Sequence, residues 1–396
     1  MKTVSRATLG LVLVVTLCGA ASAAHWRVVQ LTDNTVDDHG PRISGGRVVW
    51  ASKVDADYEI MYYDGHTTQQ LTANDVDDLS PCISVVDPNV TVCWHAVVGP
   101  GRTREVFYFD GAQITRLTDN SWDDREAVCW DRHIVWRQRT DRTDWELFDY
   151  HPRHGVRRLT DDEFDHGDYA VWGPFVAWAR NTMFEREIWF YDGSTAQKIT
   201  SGDAAVNLPV SLSGGHAAWL QWADGNWEVF DYHVGGHYRR LTFGDHDHHG
   251  PVVFDETIAW SRGQDDHEEI LYYDGQQVRQ LTYNGARDRD VRLAERWVVY
   301  LRSDPETDRS DVVVYDLQRG YETPLASPYE QNRDPHVDGD AIVWMGWDGE
   351  DYEIMLAVAC DEMPGDTNGD CVVNLLDLAD VAGDWTRCTA PEPYCP

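Results

Sequence analysis

The chain has 396 residues, and its 68 acids against 33 Lys plus Arg give a net charge of −35. Such a surface repels nucleic acid and anionic membrane, which excludes polyanion-binding roles. At 42% hydrophobic with eighteen Trp it is nonetheless no disordered acidic tail and has the material for a core.

Residues 1–23 read as a secretory signal peptide. Lys2 and Arg6 form a positive start, Leu9 to Cys18 an apolar run, and Ala21-Ser22-Ala23 a small-residue cleavage site. The apolar run is too short to cross a bilayer, and no later stretch approaches the roughly 20 residues that a transmembrane segment needs. Leu17 before Cys18 argues against a lipid anchor. The mature chain is expected to be secreted, extracellular or at the cell surface, and monomeric.

Residues 24–360 repeat with a period of roughly forty residues, which fixes architecture before any single residue is read. Each unit carries an aromatic marker: Trp50, Trp94, Trp136, Trp178, Trp219, Trp260, Tyr300 and Trp344. Nine to eleven residues later comes an acid before an aliphatic residue and a second apolar one, aromatic in half of the units: Glu59, Glu105, Glu146, Glu187, Glu228, Glu269, Asp311 and Glu353. A Leu-Thr-like pair follows, from Leu71-Thr72 to Ile199-Thr200 and on to Leu281-Thr282, degenerating to Leu325-Ala326. Within one unit, Arg47-Val48-Val49-Trp50-Ala51 and Tyr58–Tyr63 are β-branched and aromatic, Asp64-Gly65 is a hairpin turn, and no 3.6-residue period occurs. Four short antiparallel strands per unit predict an all-β fold, an eight-bladed β-propeller, with seven blades as the alternative. The last unit lacks its fourth strand, and the segment from Arg27 to Thr32 is expected to supply it and close the ring.

These repeats resemble the secreted TolB-type, WD40-like propeller family, through the Leu-Thr strand, the Asp-bearing loop, the acid–aliphatic–aromatic strand and a Pro before the inner strand. Pro41, Pro81, Pro209, Pro251 and Pro335 hold that last place. The resemblance implies a fold and specifies no reaction.

The loop after each Leu-Thr holds the candidate ligand-binding residues: Asp37, Asp38, His39, Asp77, Asp78, Asp123, Asp124, Asp165, His166, Asp247, His248 and His249. In a propeller this loop leads from one blade's outer strand to the next blade's inner strand. Carboxylates and imidazoles are therefore expected near one mouth of the channel, where they suit a divalent cation or a basic ligand. His246 to His249 departs most from its siblings, Arg287, Arg289 and Arg292 follow in the next loop, and Ala204 to Asn207 lacks the acid. The repeated aromatics and Glu residues are expected to be structural.

Residues 361–396 form a separate appendage. Asp366, Asn368, Asp370, Asn374 and Asp377 stand at positions 1, 3, 5, 9 and 12 of a calcium loop, with the Val372 carbonyl at position 7. The segment resembles one dockerin type I repeat, which implies these residues as calcium ligands and a cohesin-like domain as a partner. It departs from that family in having one repeat, and Cys371 where the loop takes Gly. Cys360, Cys371, Cys388 and Cys395 predict two disulfides, while Cys82, Cys93 and Cys129 are an odd set in strands.

No Gly-x-Ser-x-Gly elbow, His-Glu-x-x-His motif or Walker loop occurs, and no acid pair stands out as catalytic. With no hydrolase-sized domain attached either, a propeller-capped serine peptidase is expected to be excluded. The sequence points to a non-enzymatic binding or scaffold propeller for a protein or glycan, tethered by the calcium repeat. The alternative is a metal-assisted polyuronate lyase of polysaccharide degradation.

Overall fold

The computed structural model describes residues 26–360, apart from 99–100, 141–143, 183–184, 201–204, 265–266, 305 and 308. The signal segment and the appendage, with Asp366, Asn368, Asp370, Val372, Asn374 and Asp377, lie outside the described residues. Among the described residues there is no helix, so none is long and apolar enough to cross a membrane.

The strands form successive antiparallel meanders over 38–70, 78–116, 124–158, 165–198, 206–240, 248–280, 287–324 and 331–359. The last three join into one sheet through single parallel bridges, Glu268 to Arg287 and Ser310 to Gln331. The fold is all-β and propeller-like. The first strand of each meander lies against the first strands of its two neighbours, and Asp38–Ser44 meets both Asp78–Val86 and Gln331–Asp338.

Apolar cores lie between the sheets rather than within one central mass. Val49, Ile60 and Tyr62 pack on Val92 and Trp94 of the next meander, and so on round the molecule. Ile43, Val48 and Trp50 meet Val343, Ile354 and Leu356 of the last meander. The aromatic markers of the second strands have essentially no exposure, which explains why the period keeps a large ring there.

The N-terminal strand Trp26–Gln30 pairs antiparallel with Tyr352–Ala359, Trp26 opposite Ala359 and Gln30 opposite Met355. The contacts that follow copy those of the other repeats. Thr32 Oγ1 accepts from the Ile354 amide at 2.8 Å, as Thr72 Oγ1 accepts from Ile60 at 2.8 Å. The two ends of the repeat array are thus joined by the same threonine bond that Thr72, Thr118, Thr160, Thr200, Thr242 and Thr282 make within the array.

Most first strands carry a β-bulge just before their midpoint. The bulge residue takes positive φ: Ser80 55°, Glu126 58°, Asp168 47°, Asp290 54° and Asp334 47°, with Gly40 and Gly250 at the matching places. A left-handed non-glycine residue costs on the order of 1–2 kcal/mol, so its recurrence marks a bend that each inner strand needs.

Candidate functional site

The loop acids divide into two structural sets. The second member of each pair turns inward and is buried: Asp38, Asp78, Asp124, His166 and His248 are at most 4% exposed. Each accepts the indole N–H of its repeat's tryptophan: Trp50 to Asp38 at 3.0 Å, Trp94 to Asp78 at 2.7 Å, and Trp136 to Asp124 at 2.8 Å. Trp178 and Trp260 donate instead to Nδ1 of His166 and His248, at 3.0 and 2.8 Å. A buried indole N–H needs an acceptor, and the loop supplies it. Burial, and then the cationic Arg262, pull the His248 imidazole down to about 4, so at neutral pH it is uncharged and Nδ1 is free to accept.

The first member of the pair ties neighbouring meanders together. Asp77, Asp123, Asp165 and Asp247 accept backbone amides of Tyr58, Arg104, Trp145 and Trp227 at 3.3, 3.0, 3.0 and 2.8 Å. The repeated glutamates cap the same loops. Glu59 accepts the Asn74 amide at 2.8 Å, Glu105 that of Asn120 at 3.1 Å, and Glu353 that of Asn34 at 2.9 Å. Loop amides and indoles thus tie these residues into a hydrogen-bonded frame. Where the sequence lacks the loop acid, Trp219 points its N–H at Gln221 of its own strand, 3.4 Å away. His39 touches the Tyr58 hydroxyl at 3.2 Å, and Asp37 meets Lys53 through its backbone carbonyl. Glu146, Asp162 and His166 stand close enough together to share a cation.

The buried carboxyls have a pH signature. Desolvation raises Asp78 and Asp124 to about 6, against the lowering effect of their Asn and Trp donors. A folded value above the unfolded one, near 3.9, means the fold retains protons that the unfolded chain has released. This contribution to stability is therefore fullest below about pH 4 and declines as pH rises to about 6. Asp124→Asn, which keeps an acceptor for Trp136, is expected to flatten that part of the urea midpoint against pH. An unchanged slope would contradict the burial cost.

Two residues of the candidate set do reach a cavity. Asp247 and His249 line a space of about 570 Å³ between the first strands of neighbouring meanders, with Glu268, Arg287, Arg289 and Arg292. Glu268 is buried and accepts from Arg287 Nε at 2.7 Å and from the Ser261 hydroxyl at 2.9 Å. At the places of Ser261 and Glu268 the first repeat has Ala51 and Tyr58, so this polar pair is particular to its meander. Arg292 stands 3.5 Å from Asp334, which also binds Arg42 at 2.9 Å. Arg289 reaches only the Ser303 hydroxyl, at 3.4 Å, and no carboxylate among the described residues pairs with it. The wall is thus mixed in charge, with Arg289 the cation least engaged.

Sequence reading found His249 and the three arginines but not Glu268 or Ser261. Their only signal was a departure from the repeat consensus, at positions where the consensus is itself loose.

No family model matches the sequence, and no curated protein matches it. Solved structures do. The β-propeller domain of the Trilobed protease from Pyrococcus furiosus is 12% identical with a TM-score of 0.54, over 74% of this chain and 99% of that one. A puromycin-hydrolyzing peptidase of Mycobacterium tuberculosis is 14% identical with a TM-score of 0.54, over 78% of this chain. This chain spans only 57% of that peptidase's length. The computationally designed Ika8 protein is 15% identical with a TM-score of 0.56, over 83% and 98% of the two chains. At such identities the likeness establishes the β-propeller fold. It also corrects the expectation of a non-enzymatic binding or scaffold propeller with a polyuronate lyase as alternative. Puromycin hydrolase, acylaminoacyl peptidase and prolyl endopeptidases recur among the neighbours, each 11% identical and spanned by this chain over 55–60% of its length.

Proposed function

We propose that this chain is a peptidase-related propeller that receives a peptide at the mixed-charge cavity of its inner strands. The observation that carries the reading is Arg289, a cation without a carboxylate partner among the described residues, on the wall of a 570 Å³ cavity beside the buried Glu268 pair. A peptide brings carboxylates for the arginines and amides for Asp247 and His249, and a cavity of this size suits a few residues. Eight meanders of one pattern, joined end to start by Trp26–Gln30, support an eight-bladed ring whose channel gives access to that cavity.

Labelled peptides with a free C-terminal carboxylate should bind the full chain, and Arg289→Ala should weaken them about ten- to hundredfold, as loss of one charged hydrogen bond does. Amidated peptides should respond less. Equal binding by wild type and Arg289→Ala would remove the site.

The two ends of the chain remain proposals alongside this. Residues 1–23 export the protein, and the appendage binds calcium through Asp366, Asn368, Asp370, Asn374, Asp377 and the Val372 carbonyl. Titration calorimetry of the full chain should give calcium binding that Asp366→Ala abolishes. Binding that survives Asp366→Ala would contradict that ligand set.

A further inference from the structure

Cys82, Cys93 and Cys129 are an odd set in the sequence, and the fold brings all three to one point. Cys82 lies in the first strand of the 78–116 meander, opposite Cys93 in its second strand. Cys129 comes from the first strand of the next meander. The three sulfurs lie within 4.8 Å of one another, with Cys82 and Cys129 3.6 Å apart. Cys93 and Cys129 are buried, in an apolar cluster with Val106, Ala127, Ile134 and Trp136. Cys82 is half-buried and borders a second cavity, of about 340 Å³, shared with Arg42 and Glu126.

We propose that this trio is a three-thiolate site for a thiophilic d¹⁰ cation of the zinc(II) class, stapling two neighbouring meanders. Zinc–sulfur bonds of about 2.3 Å set three bound sulfurs roughly 3.7–4.0 Å apart. The observed spacing needs less than an ångström of closure to reach that. The Cys129 amide already donates to the Cys82 sulfur at 3.3 Å, a contact that favours thiolate there. The cavity at Cys82 gives the ion a way in and leaves room for water as a fourth ligand. Binding replaces three S–H bonds by three metal–sulfur bonds and releases three protons to solvent. No electrons move. Three small hydrophobes packed together would explain the burial, but not the amide pointed at sulfur or the open route.

The test uses the full chain, reduced and desalted without oxygen, beside Cys82→Ser, whose near-isosteric change at a half-buried position keeps the fold. Cd²⁺ titration should show one more equivalent, with its thiolate-to-metal ultraviolet band, in wild type than in the variant. Zn²⁺ should raise the melting temperature of wild type by several degrees more than that of Cys82→Ser. A Cys129→Ser chain serves as a second variant with the same expected loss. Equal stoichiometry and equal thermal shifts in all three would overturn the site. So would mass spectrometry showing Cys82 joined to Cys129 by a disulfide in the protein as isolated.

Discussion

Truncating Trp136 to alanine is expected to lower the free energy of unfolding by about 3–5 kcal/mol. The indole has no exposure, stacks on Phe148 with ring centroids 6.0 Å apart, and sits in the seam between two meanders. Its removal opens a cavity and strips Asp124 of a donor at 2.8 Å, leaving Gln138 at 2.7 Å on the same oxygen. A control is close by. Trp122, in the loop just before the first strand of that meander, is 41% exposed, and Trp122→Ala should cost less than about 0.5 kcal/mol. Urea unfolding followed by circular dichroism separates the two, and equal losses would contradict the structural role assigned to the repeated aromatics.

The second large effect is expected at Asp231, which is 2% exposed. It accepts from His216 Nε2 at 2.7 Å, and Arg239 reaches both of its oxygens at 2.9 Å. Desolvation opposes the charge, but the His216 and Arg239 partners win and hold the carboxyl below its ordinary range. Asp231→Ala leaves a buried imidazole facing nothing and should cost about 3 kcal/mol, the scale for removing one partner of a buried pair. Asp231→Asn, which keeps an acceptor, should lose less. The stability held by this carboxylate is present above the unfolded carboxyl value and is lost as pH falls below it, so the deficit of Asp231→Ala should shrink in acid. A deficit that is constant from neutral pH into acid would show that charge plays no part.

The all-β fold was legible because its signals repeat. A tryptophan, a glutamate and a Leu-Thr pair at one register each do one job per meander, and the jobs agree with their spacing. The Leu31-Thr32 remnant at the start was informative for the same reason: Thr32 serves Ile354 as Thr72 serves Ile60. Exceptions were compensated by residues that no pattern announces. Where Tyr300 replaces tryptophan, its hydroxyl turns to Glu322 at 2.7 Å, and Arg302 supplies the donor for Asp288 at 2.8 Å.

The candidate site was less legible, for a physical reason. Carboxylates in a loop look alike in sequence whether they face solvent or accept a buried indole. Only the inward turn of Asp38, Asp78 and Asp124 decides between them. The cysteine trio depends on two meanders meeting face to face, which the spacing of Cys82, Cys93 and Cys129 does not encode. His249 and Arg289 stood out because they break the repeat, and breaks in a periodic frame are where a propeller carries what is its own.

The most direct test of the peptide-receiving cavity is binding of one labelled peptide, with a free or an amidated C-terminus, to wild type, Arg289→Ala and Trp122→Ala. The account predicts wild-type affinity in Trp122→Ala, a loss of about ten- to hundredfold in Arg289→Ala, and most of that loss on amidation alone. Indifference of the affinity to both Arg289 and the carboxylate would contradict it.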